Sequence, residues 1–155
     1  VRVPHNNSLN ITSQITIIAW INPVQPFRDF LSKTDYDIMR IILNEEGINN
    51  VKVVYSIGGS AITTFSANNV IQEGVWRMIT WKYNGSNTSI YIDGLLSGSP
   101  VNASGNLRTN SLDLFIGHWG GGTDQRYFKG LIDEVRIYNR ALSDAEIKAL
   151  YEATK

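Results

Sequence analysis

Between residues 127 and 151 the spacing of hydrophobic and polar positions changes period once. Leu131, Asp133, Val135 and Ile137 alternate with Ile132, Glu134, Arg136 and Tyr138, so that one side of the run is apolar apart from a single carboxylate. A period of two predicts a strand. Behind it, Ser143 precedes Glu146 by three positions, Asp144 falls in the first turn, and Ile147, Leu150 and Tyr151 recur at helical spacing. This is the wording of a capping box at the start of a short helix. Upstream, extended runs at residues 15–21, 29–33, 36–43, 51–57, 61–66, 75–83 and 112–118 are separated by turn-forming residues. The run at 15–21 is partly apolar on both faces, as a central strand is. Asp93-Gly94, between two β-rich runs at 89–92 and 95–96, predicts a tight hairpin, because this pair accepts the positive φ angles of a type I′ turn. About ten to twelve strands at this density imply two antiparallel sheets packed as a sandwich.

Three segments resemble one family. They are the run from Gly130 to Ile147, the run Ile15-Thr-Ile-Ile-Ala-Trp20-Ile-Asn-Pro23, and Gly74-Val-Trp76 through Tyr83-Asn-Gly85 to Tyr91-Ile-Asp93-Gly94. In this order they are similar to the laminin-G-like, concanavalin A-like jelly-roll family of surface proteins. The resemblance implies an all-β, two-sheet antiparallel jelly-roll sandwich with a short C-terminal helix, forming a single domain over residues 1–155. It also implies that Val1 to His5 follows the place of the family's opening strand, so that strand is expected to be missing from this chain or supplied by another one. The chain is then expected to be part of a larger polypeptide at the cell surface or outside the cell.

Composition narrows the partners. With 14 Lys and Arg against 14 Asp and Glu, the formal charge is zero and no block of like charge occurs, which argues against nucleic acid and anionic membranes. The absence of cysteine excludes disulfides and thiolate metal sites. No run approaches the roughly 20 apolar residues of a membrane-spanning helix. The five Asn-x-Ser/Thr triplets, at Asn6, Asn10, Asn84, Asn87 and Asn102, read as turn asparagines.

Catalysis finds little support. Retaining glycan hydrolases need two carboxylates about 5 Å apart in one cleft. The nearest imitation, Asp133-Glu134, sits on a regular strand in this reading, so the two side chains face opposite sides and one at most reaches a given cleft. His5 and His118 belong to no triad or zinc motif. The expectation is a non-catalytic module that binds a glycan or a surface protein. An assembly domain that binds protein partners and a fragment of a glycan-active enzyme are the alternatives.

Trp20 and Trp76 occupy the family's tryptophan positions and are expected in the core. Trp81 replaces a small residue and either fills the core or faces a groove. Trp119 stands at the start of a polar, glycine-rich loop, and with His118, Asp124, Gln125, Arg126 and Tyr127 it offers an aromatic platform beside hydrogen-bonding groups, the chemistry that holds sugars. Together with Trp81 these are the candidate ligand-binding residues. Asp133, a carboxylate on an otherwise apolar side, needs a partner if it is buried. A structural calcium ion is one candidate and an arginine or backbone amides the other. Asp29, Asp35 and Asp124 are further carboxylates that could share such an ion.

Overall fold

The computed structural model describes residues 1–24, 29–33, 38–43, 48–120 and 127–155. Its strands are β1 (Arg2–Val3), β2 (Ile15–Pro23), β3 (Asp29–Ser32), β4 (Met39–Leu43), β5 (Val51–Ile57), β6 (Ser60–Phe65), β7 (Arg77–Tyr83), β8 (Asn87–Ile92), β9 (Leu95–Leu96), β10 (Val101–Asn102), β11 (Leu114–Ile116) and β12 (Gly130–Tyr138). One helix, α1 (Asp144–Thr154), follows them. The first sheet runs β1-β11-β3-β4-β5-β6 and the second β10-β8-β7-β2-β12, with β9 paired to β8. Every pairing is antiparallel. The all-β, two-sheet jelly-roll sandwich with a C-terminal helix is therefore the fold of this chain.

Alternation explains how the sheets meet. Ile15, Ile17, Ala19 and Ile21 of β2 and Ile79, Trp81 and Tyr83 of β7 point inward, opposite Ile41 and Leu43 of β4 and Val53 and Tyr55 of β5. Trp81 is fully buried, tilted against Tyr55 with ring centroids 5.2 Å apart. Its indole Nε1 donates to the hydroxyl of Thr88, so its one polar atom is satisfied in the core.

The even positions of β2 explain why this strand is apolar on both faces. Ile18 faces away from the core and meets Met78, Tyr91, Leu142 and Ile147, a second apolar cluster roofed by α1. The helix begins as expected. Ser143 accepts the amide of Glu146, and the Glu146 carboxylate accepts the amide of Ser143. Asp144 in its first turn ties the helix to the sheet, accepting 2.7 Å from Lys82 Nζ and 2.6 Å from the Tyr91 hydroxyl.

β12 departs from the expected alternation. Its register against β2 shifts between Asp133 and Arg136, and Glu134 adopts a φ of +51°. This is a β-bulge, in which two residues oppose one. Ile132 and Ile137 pack on the core, as does Val135 between them, while Leu131 is exposed. The apolar side is thus built from alternate registers on either side of the bulge, and Asp133 is an exposed residue rather than a buried charge.

Candidate functional site

The face of the first sheet that points away from the core carries the expected aromatic residues. β11 sends Leu114 inward and Phe115 outward, and the chain then turns through Gly117 to His118. The Gly117 amide donates to Phe30 O and the Phe128 amide to Gly117 O, while His118 and Tyr127 form an isolated antiparallel bridge. The bridge sets two rings side by side: the centroids of His118 and Tyr127 lie 4.7 Å apart at 30°, and Phe115 meets His118 edge-on at 5.3 Å. Tyr127 is 53% exposed and His118 half-buried. Phe128, next in sequence, points the other way and meets Phe30 in the interior.

Trp119 does not join this pair at the surface. It is only 7% exposed, yet it is in neither apolar cluster. Its ring covers Arg40, whose guanidinium carbon lies 5.0 Å from the ring centroid. Arg40 Nε in turn donates 2.8 Å to Asp29 Oδ1, both side chains being almost wholly buried. Ser32 pins the segment, its hydroxyl donating to His118 O and accepting the Gly120 amide. Gly120 leaves room for the Phe115 ring, which a Cβ at this position would meet at 2.3 Å and displace.

A buried lysine holds the strand that leads into the site. Lys33 Nζ donates to Asn110 O, Asn110 Oδ1 and Leu112 O. Burial pulls its ammonium below the usual lysine value, with the carboxylate of Asp113 working against that shift. Asp113 accepts from Arg2 and from the His5 amide, which keep its carboxyl below the ordinary range. β1 and the approach to β11 are fastened by these contacts.

The expected residues therefore separate. His118 and Tyr127 come together at the surface, while Trp119 is buried against Arg40. Trp81 lies on the opposite side of the first sheet, inside the sandwich, where it cannot reach a ligand. Asp124, Gln125 and Arg126 lie outside the described residues, as does Asp35. Phe115 joins the ring cluster unannounced; its outward phase on a strand flanked by Leu114 and Ile116 is the signal that sequence offers for it. Trp20 and Trp76 are not core residues. Trp20 is half-buried under α1, and Trp76 is 40% exposed in the turn before β7.

The fit of a calcium ion is poor among the described residues. Calcium takes roughly six to eight oxygens. Asp133 is exposed and turns Oδ1 to the Glu134 amide, Glu134 is paired with Arg136, and Asp29 is committed to Arg40. No group of three His, Asp or Glu side chains gathers among the described residues.

A family model described as the concanavalin A-like lectin/glucanases superfamily matches residues 1–148. The chain belongs to that superfamily. Among curated proteins, no relative matches this lectin/glucanase-superfamily chain. Solved structures share its fold. Domain 4 of AbnA, an extracellular GH43 arabinanase from Geobacillus stearothermophilus, solved in complex with arabinotriose, superposes with a TM-score of 0.70 at 22% identity, over 97% of this chain and 71% of that one. A putative carbohydrate-binding protein from Bacteroides ovatus gives 0.76 at 17% identity, over 95% and 43%. Domains LG4-5 of the mouse laminin α1 chain give 0.70 at 12%, over 92% and 40%. The chain thus spans less than half of the latter two. No helix among the described residues is long and apolar enough to cross a membrane.

Proposed function

We propose that this chain is a non-catalytic carbohydrate-binding module of an extracellular or cell-surface protein, and that it holds its ligand on the outer face of the first sheet at His118 and Tyr127. The observation that carries this reading is the His118–Tyr127 ring pair, tilted by 30° with centroids 4.7 Å apart, exposed at Tyr127 and preceding a buried Trp119 in sequence. A sugar ring presents an apolar face and a rim of hydroxyls. The phenol ring accepts the face, while the imidazole and the phenol hydroxyl offer directional hydrogen bonds. The bridge between the two residues and the edge-on contact of Phe115 with His118 fix the pair in advance, which lowers the entropy that binding must overcome. The arabinotriose complex of the arabinanase domain and the Bacteroides ovatus protein, both built on this fold, support the choice of ligand class.

Protein binding is the second reading. Leu95 and Leu96, which form β9 directly after the Asp93-Gly94 turn, are both exposed, and exposed apolar side chains are a feature of protein contacts. The binding domain of botulinum neurotoxin DC, also of this fold, was solved in complex with rat synaptotagmin II.

A glycan array probed with the wild-type chain and with Tyr127→Ala decides between them. Retention by a defined set of glycans, lost in Tyr127→Ala at unchanged melting temperature, is the expected result. A blank array, or retention that survives the substitution, would overturn the proposal and leave Leu95 and Leu96 as the surface to examine.

A further inference from the structure

The outer side of the second sheet carries a separate cleft of about 270 Å³, where the end of α1 meets the bulge of β12. Trp20, Trp76, Asp133, Glu134, Thr154 and Lys155 line it. Its two indoles differ. Trp20 is fully engaged, its Nε1 donating 2.8 Å to the Thr154 hydroxyl and its ring stacked on Tyr151 at 5.8 Å. Trp76 is 40% exposed, and no hydrogen bond, ion pair or ring contact with a described residue engages it. An indole contributes to stability mainly by being buried, so a bare one on a cleft wall does little for the fold.

The bulge supplies the polar half of the cleft. On a regular strand Asp133 and Glu134 would face opposite sides. Because Ile132 and Val135 both pack on the core, the two intervening residues are left at the surface, and both carboxylates line this one cleft. Each keeps an acceptor oxygen. Asp133 Oδ1 takes the Glu134 amide, leaving Oδ2, and Glu134 Oε2 takes the Arg136 guanidinium, leaving Oε1. Lys155 stands in the same lining and is paired with Glu152. A flat apolar face beside two free acceptor oxygens, with the charge of Glu134 offset by Arg136 and that of Lys155 by Glu152, describes a receptor for a ring bearing hydroxyl donors.

We propose that this cleft is a second carbohydrate-binding site, in which a neutral sugar ring lies against Trp76 and donates hydroxyl hydrogen bonds to Asp133 Oδ2 and Glu134 Oε1. The cleft's lining includes neither His118 nor Tyr127. Two sites built from different residues make the chain bivalent, able to bridge two strands of a polysaccharide or to bind one with increased avidity.

Indole N–H resonances of the four tryptophans, followed by NMR during titration with short arabino-, xylo-, cello- and chito-oligosaccharides, test the proposal. Trp76→Phe assigns the signal. A saturable shift of the Trp76 resonance is expected, with the Trp81 resonance unmoved. The shift should persist in Tyr127→Ala, and Asp133→Asn should weaken it by about tenfold, the scale of one charge-assisted hydrogen bond. A Trp76 signal that no sugar moves, or that choline moves while sugars do not, overturns the proposal. A shift confined to the Trp119 resonance, next to His118, would do the same while leaving the first site standing, and a Trp76 shift with Trp119 unmoved would support the second site alone.

Discussion

The guanidinium of Arg40 lies 5.0 Å from the centre of the buried Trp119 ring. A tryptophan at the start of a polar loop invites assignment as a ligand platform, yet here it covers an ion pair. Trp119→Ala should therefore be a stability variant. Removing a buried aromatic costs roughly 3 kcal/mol or more, and in a chain of this size each kcal/mol lowers the melting temperature by about 2–4 °C. A thermal melt of Trp119→Ala that matches wild type would show that the indole carries no structural load.

The pair beneath it makes a sharper prediction. Arg40→Met alone leaves the Asp29 carboxylate buried without its partner, a loss of about 3–5 kcal/mol. Replacing both, as Asp29→Leu with Arg40→Met, removes the uncompensated charge and should recover most of that loss. Urea denaturation of the two single variants and the double one gives the coupling energy. Near-additive losses would mean that the pair is solvated and its burial of no energetic consequence.

Much of this architecture can be read along the chain. The helix start at Ser143 is legible because capping depends on residues three apart, and the Asp93-Gly94 hairpin because a turn depends on two neighbours. Both turn residues do take positive φ, 52° and 79°. The phase of β12 is not legible. Alternation propagates correctly only while the strand is regular, and one inserted residue at Glu134 moves every later side chain to the other face. Strict alternation puts Asp133 inside the protein, generates a need for a metal, and separates two carboxylates that in fact share a cleft.

The tryptophans show a related limit. An inward and an outward Trp on neighbouring strands have the same sequence wording, and what separates Trp81 from Trp20 is the helix that roofs one face of the sheet. His118 and Tyr127, nine positions apart, meet through a bridge that no periodicity encodes. Their proximity in sequence to Trp119 suffices to name them, though not to say which of the three is exposed.

Acid should loosen the helix before the sandwich. Glu146 is held down to about 2 by hydrogen bonds from Arg140 and from the Ser143 amide and hydroxyl. Asp144 is lowered by Lys82 and by the Tyr91 hydroxyl. A carboxylate whose folded value is depressed stabilises the fold above its unfolded value, and that stabilisation is lost as pH falls through the folded one. For Glu146 the window runs from its ordinary value, 4.5, down to about 2. Far-ultraviolet circular dichroism should show helical signal declining across that range while the Trp81 environment, read by near-ultraviolet signal, persists. Glu146→Gln should flatten the helical decline. An identical acid profile in the variant would place the sensitivity elsewhere.

Two glycines separate backbone strain from packing. Gly74 and Gly94 both adopt positive φ, 73° and 79°, where an L side chain costs roughly 1–2 kcal/mol. Around Gly74 a Cβ would meet nothing within 4 Å, so Gly74→Ala should lose that conformational amount and little else. At Gly94 the Cβ would stand 3.1 Å from Tyr151 Cβ and 3.2 Å from Lys148 Cα, both on α1. The β8–β9 turn and the helix are that closely apposed, and relieving the contact requires α1 to shift over Ile18 and Tyr91. Gly94→Ala should therefore destabilise clearly more than Gly74→Ala in urea melts. Equal losses at the two glycines would mean that only the turn geometry matters and that the helix rests on the sheet without help from the hairpin.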